Sequence, residues 1–218
     1  MLLPGLGADE RLFQGQREAF PNLLVPAWPR WRSDDSLASF AARLVEAIPD
    51  SDPLYLGGSS FGGMVALELA VHVKPKGVIL IGSCRGPESL SPLVRHLRGP
   101  VRALPAAAFH PRRWTVPFVL PLVGRLTADQ RRLFLEMAEE APPSFLKWGA
   151  EAILSWQPSP VAVPVHHIHG GEDRLVPASR VHADVIVPDA GHLLTLTHPA
   201  DVNAFIGRVI AERDGSGG

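Results

Sequence analysis

The sequence predicts an α/β fold: a parallel sheet with helices over both faces. Three observations lead there. Short apolar runs at residues 2–3, 22–25, 54–56 and 78–81 alternate with segments whose apolar residues recur at helical spacing. Most of those runs are apolar throughout and do not alternate with polar residues, as strands buried on both faces require. One of them, at residues 54–56, leads through a glycine-rich turn straight into a helical pattern.

Each element has its own local reason. Leu2 and Leu3 open a strand that Pro4-Gly5-Leu6-Gly7 ends. Residues 22–25 make a second strand, closed by Pro26 and the aromatic segment Trp28-Pro29-Arg30-Trp31. Ser33, Asp34, Asp35 and Ser36 offer helix caps, after which Leu37, Phe40, Ala41, Leu44, Val45 and Ile48 form one stripe that Pro49 stops. After the strand at 54–56, Met64, Val65, Leu67, Leu69 and Ala70 give a helix that ends before Pro75. Residues 78–81 are the fourth strand.

From residue 85 to residue 156 the alternation stops. This stretch is rich in Pro, Arg and large apolar residues, with helical fragments and no convincing strand. Thr127 with Gln130 makes a capping box ahead of Leu133, Phe134 and Met137, and Ser144 offers a cap for a helix with Phe145, Trp148, Ala152 and Trp156 on one face. Between Arg85 and Lys147 stand 10 Lys and Arg against 5 Asp and Glu, a basic excess suited to attracting anions and equally to a solvated surface. The sheet pattern resumes at residues 165–168 and 183–187, and Pro199 opens a closing helix with Val202, Phe205, Ile206, Val209 and Ile210 on one face. Residues 214–218 read as a flexible tail.

Composition narrows the function. With 218 residues the chain holds one full-sized core. A net charge of −1 gives no reason to expect nucleic acid or an anionic membrane as partner. Cys84 is the single cysteine, which excludes an internal disulfide. No apolar run reaches membrane-spanning length, and the first residues lack the basic start and long apolar stretch of a secretory signal, so a cytoplasmic location is expected.

The informative stretch is Gly58-Ser59-Ser60-Phe61-Gly62, which fits G-x-S-x-G with Ser60 at its centre. A strand that turns abruptly into a helix needs residues without bulk on both sides, and Gly58, Gly62 and Gly63 supply them. Phe61 follows Ser60 at the helix start, where backbone N–H groups favour a developing anion. Further along lie His169-Gly170-Gly171-Glu172-Asp173 and Asp189-Ala190-Gly191-His192, each just past a predicted strand. Open parallel sheets collect their sites at that end.

The elbow around Ser60, the segment HGGEDRLVP and the segment DAGH together resemble the α/β-hydrolase superfamily over nearly the whole chain. The resemblance implies a trimmed α/β-hydrolase fold of about six parallel strands in the order 2-1-3-4-5-6. The core is residues 1–84 and 157–213, and residues 85–156 form a helical cap over the site. The chain begins at what would be the family's third strand, and the helix before the last strand is minimal or missing. A catalytic triad of Ser60, Asp173 and His192 is implied, with the backbone N–H groups of Leu6 and Phe61 as oxyanion donors. An imidazole must take the proton of a serine hydroxyl before it attacks, and a carboxylate fixes the tautomer of that imidazole.

Rival residues are weaker. Glu172 and Asp189 are alternative acids; His198 and His182 suit capping or surface roles. His166, His167 and His169 cluster near Asp173, but His167 and His169 alternate on one strand without a second ligand group, so no metal is expected. Cys84 reads as a small buried residue. The expected activity is hydrolysis of small carboxylic esters of short to medium acyl chains, with no cofactor, the apolar content of the cap suggesting an apolar acyl pocket. The same triad also serves C–C, thioester or lactone cleavage, and some relatives resemble slow-turnover ligand-binding or signalling proteins.

Overall fold

A computed structural model describes residues 1–48, 54–110 and 116–214. Its centre is a parallel five-stranded sheet in the order β1-β2-β3-β4-β5: Leu2–Leu3, Tyr55–Ser59, Gly77–Ile81, Val165–Gly170 and Val185–Val187. Register pairs Leu2 with Gly57, Leu56 with Val78, Val78 with Val165 and Ile168 with Val185.

The sixth strand expected at residues 22–25 is not present. Leu2 N–H donates to the Leu24 carbonyl (2.9 Å), so the segment lies along the outer edge of β1, but it forms no ladder. Pro21 and Pro26 flank only four residues there, and proline can neither donate to a ladder nor leave its fixed φ.

The helices cover both faces. In chain order they are α1 (Gln14–Ala19), α2 (Leu37–Ala42), α3 (Phe61–Val73), α4 (Pro92–His96), α5 (Arg98–Ala103), α6 (Val116–Val123), α7 (Ala128–Glu140), α8 (Pro143–Ser155), α9 (Leu194–Thr197) and α10 (Pro199–Asp214). Successive strand residues point to opposite faces. Leu3, Leu56, Val78 and Leu80 therefore meet α2, α3 and α8, whereas Leu2, Ile79, Ile81 and Ile168 meet Phe13, Val202, Phe205 and Ile206 on the other side.

Local signals explain several boundaries. Ser36 and Ser39 close a capping box on α2, and its stripe continues past Ala42 as a 3-10 turn over Arg43–Ala47; Pro49 lies outside the described residues. Thr127 and Gln130 bond reciprocally at the start of α7 (3.0 and 3.2 Å). Ser144 does not cap α8: Pro143 takes the first helical position, where its missing N–H costs nothing, so the helix begins before the serine. Between the acid loop and β5 only a 3-10 turn, Ala178–Arg180, remains. The closing helix runs to Asp214, so the first residue of the expected tail belongs to α10; residues 215–218 lie outside the described residues.

Among the described residues, the segment from 85 to 156 contains helices and turns and no strand. α8 is bound tightly to the sheet side of the molecule. Its Phe145 and Trp148 join Trp28, Phe40 and Phe61 in one aromatic cluster, with Phe40 and Trp148 centroids 4.7 Å apart. Trp156, just after α8, donates from Nε1 to Glu68 Oε1 on α3 (2.7 Å), a buried carboxylate that also accepts from Ser159 N–H and Oγ. These aromatics fill the core and are not available to line a pocket.

Candidate active site

Ser60 sits at the C-terminal end of β2, on the residue before α3, at φ 52° and ψ −118°. A non-glycine residue at positive φ is strained, at a cost on the order of 1–3 kcal/mol, and persists only where its surroundings fix it. They do so here. Ser60 N–H donates to Ile81 O (3.0 Å), its carbonyl accepts from Gly63 N–H (3.0 Å) and from Ser83 Oγ (2.6 Å). The turn closes only with glycine around it: a Cβ on Gly58 would overlap the Gly62 backbone, and one on Gly62 would overlap the carbonyls of Leu3 and Pro4.

The hydroxyl so presented meets an imidazole. Ser60 Oγ lies 2.7 Å from His192 Nε2, and His192 Nδ1 lies 2.7 Å from Asp173 Oδ2. Asp173 and His192 are buried, at 4% and 5% exposure, which strengthens each polar contact by excluding water. The other oxygen, Asp173 Oδ1, accepts from the N–H groups of Leu175 and Val176, both at 2.9 Å. A carboxylate only accepts, so His192 Nδ1 carries the proton and Nε2 is left free to accept from the serine.

Two loops carry these groups and brace each other. The acid loop follows β4 and the histidine loop follows β5; Glu172 N–H donates to Ala190 O (2.9 Å) and Gly171 N–H to Val187 O (2.8 Å). A third support comes from the helical segment: His192 N–H donates to Val123 O, at the end of α6 (3.0 Å), and Gln130 Nε2 donates to Leu196 O (2.8 Å).

The rivals fall away from the histidine. Glu172 is half exposed and lies 3.8 Å from Arg125; Asp189 is exposed and 3.5 Å from His198. His182 is exposed. Cys84 is buried, and burial pushes its thiol up to about 12, far from a thiolate. Among the described residues no group of three or more His, Cys, Asp and Glu side chains is arranged to hold a metal ion.

Phe61 is the first residue of α3, and its ring is locked in the aromatic cluster, which anchors its backbone at the helix N-terminus. The Gly5–Leu6 turn runs beside the serine, since a Cβ on Gly5 would stand 3.8 Å from Ser60 Cβ. Ser83 and Val123 are the residues that sequence reasoning missed. Ser83 lies at the productive end of β3, but nothing in the letters around it signals a bond to residue 60. Val123 acts through its carbonyl, which no residue type encodes.

The family model described as "Alpha/beta hydrolase family" matches residues 1–205. Among solved structures, the chain is similar to a malate-bound thermophilic esterase from Thermogutta terrifontis at 20% identity and TM-score 0.74, covering 97% of this chain and 89% of that one. It is similar to a hydrolase from Oleispira antarctica at 13% identity and TM-score 0.76, covering 96% and 89%. A third similarity is to MenH from S. aureus, at 15% identity and TM-score 0.72, covering 98% and 93%. At these identities the likeness speaks for the fold. No curated protein matches the sequence.

Proposed function

The chain belongs to the alpha/beta hydrolase family, and on that premise we propose that it is a serine hydrolase cleaving small carboxylic esters through an acyl-enzyme. The observation that carries this reading is the relay Ser60 Oγ, His192, Asp173, with both contacts at 2.7 Å. Its esterase and lipase structural neighbours agree with it.

In the proposed reaction Ser60 Oγ attacks the ester carbonyl as His192 Nε2 takes its proton. Asp173 Oδ2 holds the imidazolium at Nδ1, and the backbone N–H groups of Leu6 and Phe61 receive the oxyanion. His192 then protonates the leaving alcohol, and a water deprotonated by the same nitrogen releases the acid. Every proton passes through one imidazole, so the steps need no group beyond those named. Short to medium acyl chains suit the site, because α8's aromatics are committed to the core and leave less apolar lining for a long chain. The residue 85–156 segment is proposed as the cap. Among the described residues no helix is long and apolar enough to cross a membrane; a cytoplasmic location is part of the same proposal.

Steady-state hydrolysis of nitrophenyl esters from acetyl to palmitoyl, with and without a serine-directed phosphonate, tests the reading. We expect turnover that declines for the long chains and stops after one equivalent of phosphonate, with the adduct on Ser60. Undiminished turnover after full labelling, or no hydrolysis of any ester, overturns it.

A further inference from the structure

Beside Asp173 stands a buried histidine pair. His169 and His167 alternate on β4, and their rings meet edge to face with centroids 5.0 Å apart. His169 Nε2 lies 2.7 Å from Val176 O and 3.4 Å from Asp173 Oδ2, and its Nδ1 lies 3.1 Å from His167 Nε2. Both histidines are essentially inaccessible, at 0% and 1% exposure.

The partners fix the protons. A carbonyl only accepts, so His169 Nε2 carries a hydrogen, directed at Val176 O and passing close to Asp173 Oδ2. In the neutral ring Nδ1 is then bare, and it can accept from a hydrogen on His167 Nε2. His167 also faces the main chain of His182, and it can donate there and to His169 together only as an imidazolium, which burial resists. Burial lowers His167 to about 3, and it lowers His169 as well. The charged and titratable groups facing the pair are Asp173, His192, Arg85 and Asp184.

Resting on the reading that Asp173 is the acid of the relay, we infer that His169 is a positioning residue for Asp173, held in its Nε2–H tautomer by Val176. Val176 ties the arrangement together, because its N–H donates to Asp173 Oδ1 while its carbonyl accepts from His169. The His169 hydrogen adds a donor beside the same oxygen that holds His192. It aims the carboxylate, and it tempers the pull of that carboxylate on the His192 proton.

The test compares wild type with His169→Gln, whose Nε2–H is placed to replace the imidazole donor, and His169→Phe, which keeps the bulk without it. For His169→Phe we expect kcat to fall about tenfold, the factor carried by one ordinary hydrogen bond, with KM little changed. The acid limb of its kcat/KM profile moves to higher pH, because an Asp173 relieved of a donor binds the His192 proton more firmly. His169→Gln restores most of both. Equal impairment in the two variants, or an unmoved limb in a folded His169→Phe protein, overturns the inference. A readout independent of activity is nitrogen-15 NMR of the wild-type histidines. The Nε2–H tautomer of His169 is expected at neutral pH, and the Nδ1–H tautomer there overturns the inference even if no ester is hydrolysed. Failure of the esterase reading instead shows as absent turnover with this NMR signature intact.

Discussion

The main-chain N–H of His192 is bonded to the carbonyl of Val123 at 3.0 Å, so the proposed base is held by the helical segment as well as by its own loop. The two chains cross there at glycines. A Cβ on Gly191 would stand 2.6 Å from Val123 O and 2.7 Å from Gly124 Cα, and Gly124 itself lies at φ +101°.

Gly191→Ala should therefore push the histidine loop off α6 and displace His192 from Ser60. A displacement near 1 Å costs up to about 100-fold in rate, and we expect kcat to fall by at least tenfold while Ser60 can still be labelled slowly by a phosphonate. Unchanged kcat in Gly191→Ala counts against this coupling.

Ser60→Ala should abolish turnover, with a loss of roughly 10⁴ to 10⁶ in kcat, and leave the fold intact. The strained φ adds a second expectation. Ser60→Gly relieves it, so this variant should melt higher than Ser60→Ala, by about 2–4 °C for each kcal/mol released in a chain of this size. Calorimetry of the two inactive variants checks this, and equal melting temperatures refute the strain argument.

Stability should fall as pH drops below the ordinary histidine range. Burial lowers His167 to about 3, so between about 6.5 and 3 the unfolded chain binds a proton that the folded chain refuses. Where the unfolded state binds more protons, stability rises with pH; the contribution is complete above about 6.5 and is lost on acidification through that window. His169, lowered for the same reason, acts in the same direction. His167→Gln keeps a donor toward His169 and cannot titrate. Its melting temperature should depend less steeply on pH between 4.5 and 6.5 than that of the wild type, and an identical slope would place the effect elsewhere.

Hydrogen exchange should divide the proposed cap. α8 buries Phe145, Trp148 and Ala152, whereas α4 and α5 contain no buried residue, and Leu93 on α4 and Leu97 between the two helices are exposed. We expect α8 amides to be protected nearly as well as β3, and those of α4 and α5 to exchange orders of magnitude sooner. Uniform protection from residue 92 to residue 155 contradicts this division.

Part of this molecule is legible from runs of neighbouring residues alone. The strand–turn–helix around Ser60, the loops bearing Asp173 and His192 past strand ends, and the capping box at Thr127 all arise from backbone preferences over a few positions. Tertiary structure decided the rest, because it depends on contacts between distant residues. The separation of 132 positions from Ser60 to His192 is bridged only once β2 and the histidine loop reach the same end of the sheet. Packing against Phe40 and Phe61 committed the aromatic face of α8 to the core, a choice its helical period leaves open. Residues 22–25 show the converse: an apolar run suited to a strand gained one bond to Leu2 and no ladder, since a strand exists only where a partner's donors and acceptors line up with its own. Ser83, Val123 and the His169–Val176 contact belong to the same class, being fixed by where backbone carbonyls come to rest, which side-chain identity does not specify.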